Sequence, residues 1–227
     1  MDSDSLLLYH GSVLSNLQPV FGKGNPHNDY GPAFYCTEDY ELACEWACIN
    51  LKGGFVNSYL LDTNGLSFLH LEKYTILQWL AVLVNNRSFS ISSSIARDAK
   101  SYLLSNFLPD IGLYDIISGH RADDSYFSFS QDFLNNTISL RQLKNAMHFG
   151  NLGLQVVIKS QKAFAALQFR NSEAVDGSVY FQRRNARDIE ARKQYLQGER
   201  SGLHLREDLF MLDIMREEIK NDDPRLQ

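Results

Sequence analysis

Long apolar runs are missing from this 227-residue chain, and so is any strong excess of one charge. The longest apolar stretch, 76–84, is interrupted by Gln78 and falls well short of the roughly 18 residues a membrane helix needs. The opening segment M-D-S-D-S-L-L-L is acidic, and its apolar part is too brief for a secretion signal. A cytoplasmic protein with no membrane partner is therefore the expectation. A formal net charge of −5 exerts no overall pull toward nucleic acid or anionic lipid. Cysteine is scarce: Cys36, Cys44 and Cys48 are the only three, with no C-x-x-C and no nearby His or Asp to complete a zinc set. They read as reduced core thiols, and no metal is expected. Gly22-Lys23-Gly24 lacks the spacing of a phosphate-binding loop.

What is present suits an ordinary globular chain, with 44% hydrophobic and 22% charged residues. Strand patterns occur at Leu6–His10, Ala33–Cys36, Phe55–Leu61, Tyr114–Ser118 and Gly153–Lys159. Helical spacing marks Glu72–Asn85, Ser93–Phe107, Ser139–Phe149 with Gly150 as its stop, and Gln161–Phe169 capped by Ser160. From Val179 the texture turns to charged amphipathic helices, Arg183–Tyr195 and Leu203–Ile219. That tail holds ten Lys/Arg and ten Asp/Glu, so the acidic excess belongs to the body. The division expected is a body over 1–178 and a helical extension over 179–227, packed on the body through Leu205, Leu209, Leu212 and Met215 or used in a homodimer contact.

Two short stretches organise the rest. Near the start stands L-Y-H-G-S, residues 8–12. Residues 30–47 read Y-G-P-A-F-Y-C-T-E-D-Y-E-L-A-C-E-W-A. There a Gly31-Pro32 turn feeds a short strand carrying Tyr35, and Thr37 is expected to cap a helix rich in acids at its start. Leu42, Ala43, Trp46 and Ala47 recur at helical spacing on it.

In order and spacing, these motifs resemble the ADP-ribosyltransferase superfamily, in its diphtheria-toxin and poly-ADP-ribose-polymerase branch. The matching residues are Tyr9-His10-Gly11-Ser12, then Gly31, Phe34, Tyr35, Ala43 and Trp46. The resemblance is closer still to a family of small uncharacterised bacterial proteins. Those carry Tyr-His-Gly-Ser, Phe-Tyr-x-Thr, an Asp-Asp-x-Tyr matched here by Asp123-Asp124-Ser125-Tyr126, and a late Gln strand. It implies an α+β fold with a split mixed or antiparallel sheet, inserted helices and a helical C-terminal extension. It also implies NAD as substrate and ADP-ribose transfer to an acceptor that is a protein, a nucleic acid or a small molecule. A toxin, a defence factor and a housekeeping enzyme all fit that implication.

On this resemblance His10 holds a ribose hydroxyl, the Gly11 backbone meets the nicotinamide amide beside Ser12, and Tyr35 offers a stacking face. Trp46 stands where a second stacking ring is expected, with core packing as its competing role. Gln155 occupies the late-strand position where the better-known enzymes carry glutamate. Glutamine can bind a hydroxyl but is neither a base nor a charge. Asp123 or Asp124 is the expected source of that missing charge, and Arg121 is a candidate for the pyrophosphate. Two other readings compete. One is a nucleotide-binding or protein-interaction module without chemistry on the same fold; the other is a cysteine hydrolase pairing Cys36 with His10.

Overall fold

Alternation of Leu6, Leu8 and His10 with Leu7, Tyr9 and Gly11 builds the first strand, as period-2 patterning requires. The computed structural model describes residues 4–88, 93–122, 124–149, 153–200, 202–203 and 205–226. In chain order its elements are β1 (Ser5–Ser12), β2 (Phe34–Cys36), α1 (Tyr40–Ala47), β3 (Gly54–Asp62), β4 (Phe68–His70), α2 (Ile76–Asn86) and α3 (Ser94–Asn106). Then come β5 (Ile116–His120), α4 (Asp124–Leu134), α5 (Leu140–Ala146), β6 (Leu154–Ile158), α6 (Gln161–Ala165), β7 (Leu167–Val175), α7 (Gly177–Gln194) and α8 (Met211–Arg216). The fold is mixed α+β.

The chain divides into two units, each assembled from separate stretches. The first comprises Met1–Leu71, Asp110–Arg121 and Leu152–Arg187; the second comprises Glu72–Pro109, Ala122–Asn151 and Asp188–Gln227.

Both sheets lie in the first unit. One is antiparallel, in the order β1-β3-β7; the other is mixed, in the order β2-β6-β5-β4, with β4 parallel to β5. Among the described residues a single bridge joins them: Tyr9 and Thr37 exchange N–H to carbonyl bonds of 2.8 and 2.9 Å. Beyond it β1 and β2 part. Leu8, Phe34, Cys36, Tyr59, Leu61, Ile116, Val156 and Ile158 form one apolar cluster. Ala43, Cys44, Ala47 and Cys48 of α1 form a second with Val56 and Val175.

Gly11 explains how closely α1 lies on β1. A Cβ there would stand 2.0 Å from the Ala43 carbonyl oxygen and 2.4 Å from the Ala47 nitrogen, a clash with backbone that cannot swing aside.

The cap of α1 differs from expectation. Asp39, not Thr37, accepts the Leu42 N–H, at 3.1 Å. Thr37 is instead held by its bridge to Tyr9, while its hydroxyl accepts from the Asp39 N–H. The helix expected over 161–169 stops at Ala165, because Leu167–Val175 finds an open ladder along β3 and pairs there as β7. That strand is polar and mostly exposed, so its sequence carried little alternation to read.

In the second unit α2 begins at Ile76 rather than 72, because Thr75 and Gln78 form a reciprocal capping box. Its residues 77 and 79–84 are all buried. Ser93 caps α3, which fills the segment expected, and Ser139 caps α5, which ends at Ala146 rather than 149; Gly150 lies outside the described residues. The helix expected over 203–219 shrinks to Met211–Arg216, with Met211 and Ile214 buried and Leu205 and Leu212 exposed. Asp208 is the reason. Its carboxylate takes the Leu205 N–H and a two-pronged bond from Arg141, holding 205–208 in a turn. Among the described residues no helix is long and apolar enough to cross a membrane.

Candidate functional site

His10, Tyr35 and Gln155 come from distant parts of the chain but stand on neighbouring strands. The Tyr9–Thr37 bridge joins β1 to β2, and the ladder Phe34↔Ile158, Tyr35↔Val157, Cys36↔Val156 joins β2 to β6. Where β1 and β2 part, β1 keeps an open edge. Tyr9 points its N–H and C=O at β2, so strand alternation turns those of Gly11, two residues on, to the same edge.

His10 reaches across this gap. Its Nδ1 lies 2.7 Å from the Tyr35 carbonyl oxygen, and its ring packs on Phe34 at 4.6 Å between centroids. A carbonyl only accepts, so Nδ1 carries the proton and Nε2 holds a lone pair. Burial pushes the imidazole pKa below its ordinary 6.5, against an opposing pull from the bond to Tyr35. Neutral His10 thus presents Nε2 as an acceptor, and no described residue takes it up.

A second cluster lies on one face of β2 and β6. Tyr35 pairs with Val157, and Gln155 is two residues from Val157, so their side chains share that face. Residues 29–31 lie over it. The Tyr35 hydroxyl donates to the Gly31 carbonyl at 2.6 Å and accepts from the Tyr30 N–H at 3.1 Å. Tyr30 is buried and donates to the His120 carbonyl at 2.7 Å, its ring sitting where any Cβ on Gly119 would be. Lys159 Nζ reaches the Tyr30 carbonyl at 3.1 Å, and burial lowers its pKa. Gln155 Nε2 donates to Asp29 Oδ2 at 3.0 Å and to the His120 carbonyl at 3.3 Å. Asp29 and Gln155 are only 6% and 3% exposed.

Asp29 and Tyr30 are the residues that sequence reasoning missed. Asp29 stands just before the 30–47 stretch and Tyr30 opens it, and the signal for both was an Asp-aromatic-Gly triplet just before the Tyr35 strand. Among the described residues, the carboxylate that Gln155 meets is Asp29. Asp123 lies outside the described residues. Asp124 opens α4 in the second unit, and its side chain is not among those described.

Trp46 is half-buried at the end of α1, its Cβ 2.8 Å from where a Gly11 Cβ would stand. The Arg121 guanidinium lies over its ring, 5.0 Å from the centroid. Trp46 Nε1 is enclosed, with no acceptor among the described residues. Next to it, Glu45 pairs with Arg187 at 2.5 Å. Burial raises the Glu45 pKa, opposed by Arg187 and, more weakly, by Arg121, Arg183 and Arg184. Ser12 accepts the Leu14 N–H at 3.0 Å and so stabilises the turn after β1. Cys36 has no exposure and burial drives its thiol pKa well up, which removes it as a nucleophile toward His10.

The family model described as a protein of unknown function, DUF3990, matches residues 6–169. The chain belongs to the DUF3990 family. No curated protein and no solved structure matches it. The family region runs from β1 into β7, so His10, Asp29, Tyr35, Trp46, Arg121 and Gln155 all fall within DUF3990. The arginines of α7 that surround Glu45 lie beyond it.

Proposed function

We propose that this protein uses NAD as substrate, cleaves its nicotinamide–ribose bond and transfers single ADP-ribose units to an acceptor, on a split sheet of the ADP-ribosyltransferase type. The observation that carries this reading is the placement of His10, Tyr35 and Gln155 on the neighbouring strands β1, β2 and β6, with His10 bonded to the Tyr35 carbonyl. In the reaction the bond between ribose C1′ and the nicotinamide nitrogen breaks, and its electron pair leaves with nicotinamide. The acceptor nucleophile bonds to C1′ and releases its proton to solvent. Positive charge builds on the ribose meanwhile, so groups that hold its hydroxyls and supply negative potential lower the barrier.

Each residue then has a defined part. His10 Nε2 accepts a ribose hydroxyl, and the Gly11 N–H and C=O pair with the nicotinamide amide. Trp46 supplies an aromatic face, while Arg121 beside it is the cation for the pyrophosphate. Tyr35 acts through its fixed ring and carbonyl, since its hydroxyl is committed to residues 30 and 31. The absence of a free carboxylate at Gln155 favours transfer of one unit over chain elongation.

A second reading is favoured by one observation: the late-strand position holds an amide, Gln155, whose N–H groups are both engaged within the protein, so it supplies neither a base nor a donor to a ligand. On it the same surface binds a nucleotide without chemistry. Incubation with NAD and chromatography of released nicotinamide separates the two. Release above the uncatalysed rate, reduced at least tenfold by His10→Ala, is expected for the transferase. Binding without release would select the binding module.

A further inference from the structure

The amide of Gln155 has its orientation fixed by what surrounds it. Its nitrogen faces the Asp29 carboxylate at 3.0 Å and the His120 carbonyl at 3.3 Å. The carbonyl accepts in every protonation state, so the nitrogen must lie on that side and both its protons are used. What is left is Oε1, and no described residue donates to it. Glutamine normally offers both a donor and an acceptor; here it can only accept. Donation to a buried carboxylate also draws electron density toward Oε1.

We propose that Asp29 is a positioning residue that turns Gln155 into an acceptor-only group, and that Oε1 binds a hydroxyl of the ligand's ribose. This rests on the NAD reading above and deepens it. An acceptor-only Oε1 matches a hydroxyl group and repels phosphate oxygens. Asp29 also sets a carboxyl group one hydrogen bond behind Oε1, where a glutamate would have carried its own. The neutral residue at this position is thereby supplemented from the loop before β2.

The contact is tested without any ligand. Gln155→Glu sets a second carboxylate about 3 Å from Asp29, where the two cannot both ionise, so one holds a proton with a raised pKa. A raised carboxyl pKa makes stability highest at low pH and lost as pH rises through it. The melting temperature of Gln155→Glu should therefore fall relative to wild type between about pH 5 and 8. The double variant Gln155→Glu with Asp29→Asn should recover a wild-type profile. A Gln155→Glu protein that melts like wild type throughout would overturn the pairing.

The ligand arm uses ADP-ribose and calorimetry. Asp29→Ala frees the amide to rotate and present N–H groups, so affinity should drop at least tenfold. Asp29→Asn, which still offers an acceptor to Nε2, should restore most of it. Undiminished affinity in a folded Asp29→Ala protein would overturn the positioning role. If wild type itself failed to bind ADP-ribose while the pH response held, the ribose ligand and the NAD reading would fall together, and Asp29 would remain the partner of Gln155.

Discussion

A glycine and a histidine side by side do different jobs in β1. Gly11 is where α1 touches the strand: the space a side chain would fill is occupied by the Ala43 and Ala47 backbone. Gly11→Ala is expected to destabilise the protein by about 1–3 kcal/mol, since overpacking against backbone is relieved only by shifting a helix. Urea unfolding measures this, and an unchanged midpoint would refute the close approach. The motif alone pointed to the same glycine for another reason, an open backbone edge for the nicotinamide amide. The two are compatible in geometry: the missing Cβ faces the helix, while strand alternation turns the N–H and C=O to the edge that Tyr9 presents to β2. His10 was visible from its motif, but its tautomer was not. Only the carbonyl of Tyr35 decides which nitrogen holds the proton.

At the scale of elements, local chemistry and long-range pairing contributed unequally. Helices announced by a side-chain cap were readable, and Ser139 and Ser160 start α5 and α6 where the sequence indicates. Helix α1 was right in place and wrong in its cap, because Thr37 and Asp39 are both competent caps. The choice fell to Asp39 once Thr37 was drawn into the bridge with Tyr9. Asp39→Ala should therefore cost about 1 kcal/mol in chemical unfolding, and Asp39→Asn much less, as both side chains accept the same N–H. A neutral Asp39→Ala would return the cap to Thr37. Strand β7 and the turn at 205–208 were not readable: one depends on a free edge of β3, the other on Arg141, some sixty residues away in sequence.

For the molecule as a whole, acid is the informative variable. His10 has a lowered pKa in the folded state, so its contribution is present above about 6.5 and is lost as pH falls below it. Asp115 and Asp208 are also lowered, Asp115 chiefly by the Ser160 hydroxyl and Asp208 chiefly by Arg141. Their contributions hold above the ordinary carboxylate range and are lost only as pH drops through it, near 4. A melting profile against pH should accordingly weaken in two steps. His10→Gln should remove the first step and leave the second. If both steps survived that substitution, desolvation of His10 would not be the cause of the first.

Periodicity and spacing alone determined the presence of both strands and helices and the position of most helices, while His10, Gly11, Tyr35, Trp46 and Gln155 were singled out by resemblance to a family. These are properties of short segments: a period of two or 3.6, a cap, a turn, a motif a few residues long. The tertiary structure decided what those segments meet. It put Asp29 against Gln155 across 126 positions, buried Tyr30 on Gly119, and laid Arg121 over Trp46. It also divided the tail, with α7 through Arg187 in one unit and the rest in the other. None of these pairings leaves a periodic trace in sequence. Each is a contact between single side chains whose encounter depends on strand order, and strand order is set by the global competition for ladder partners and buried area.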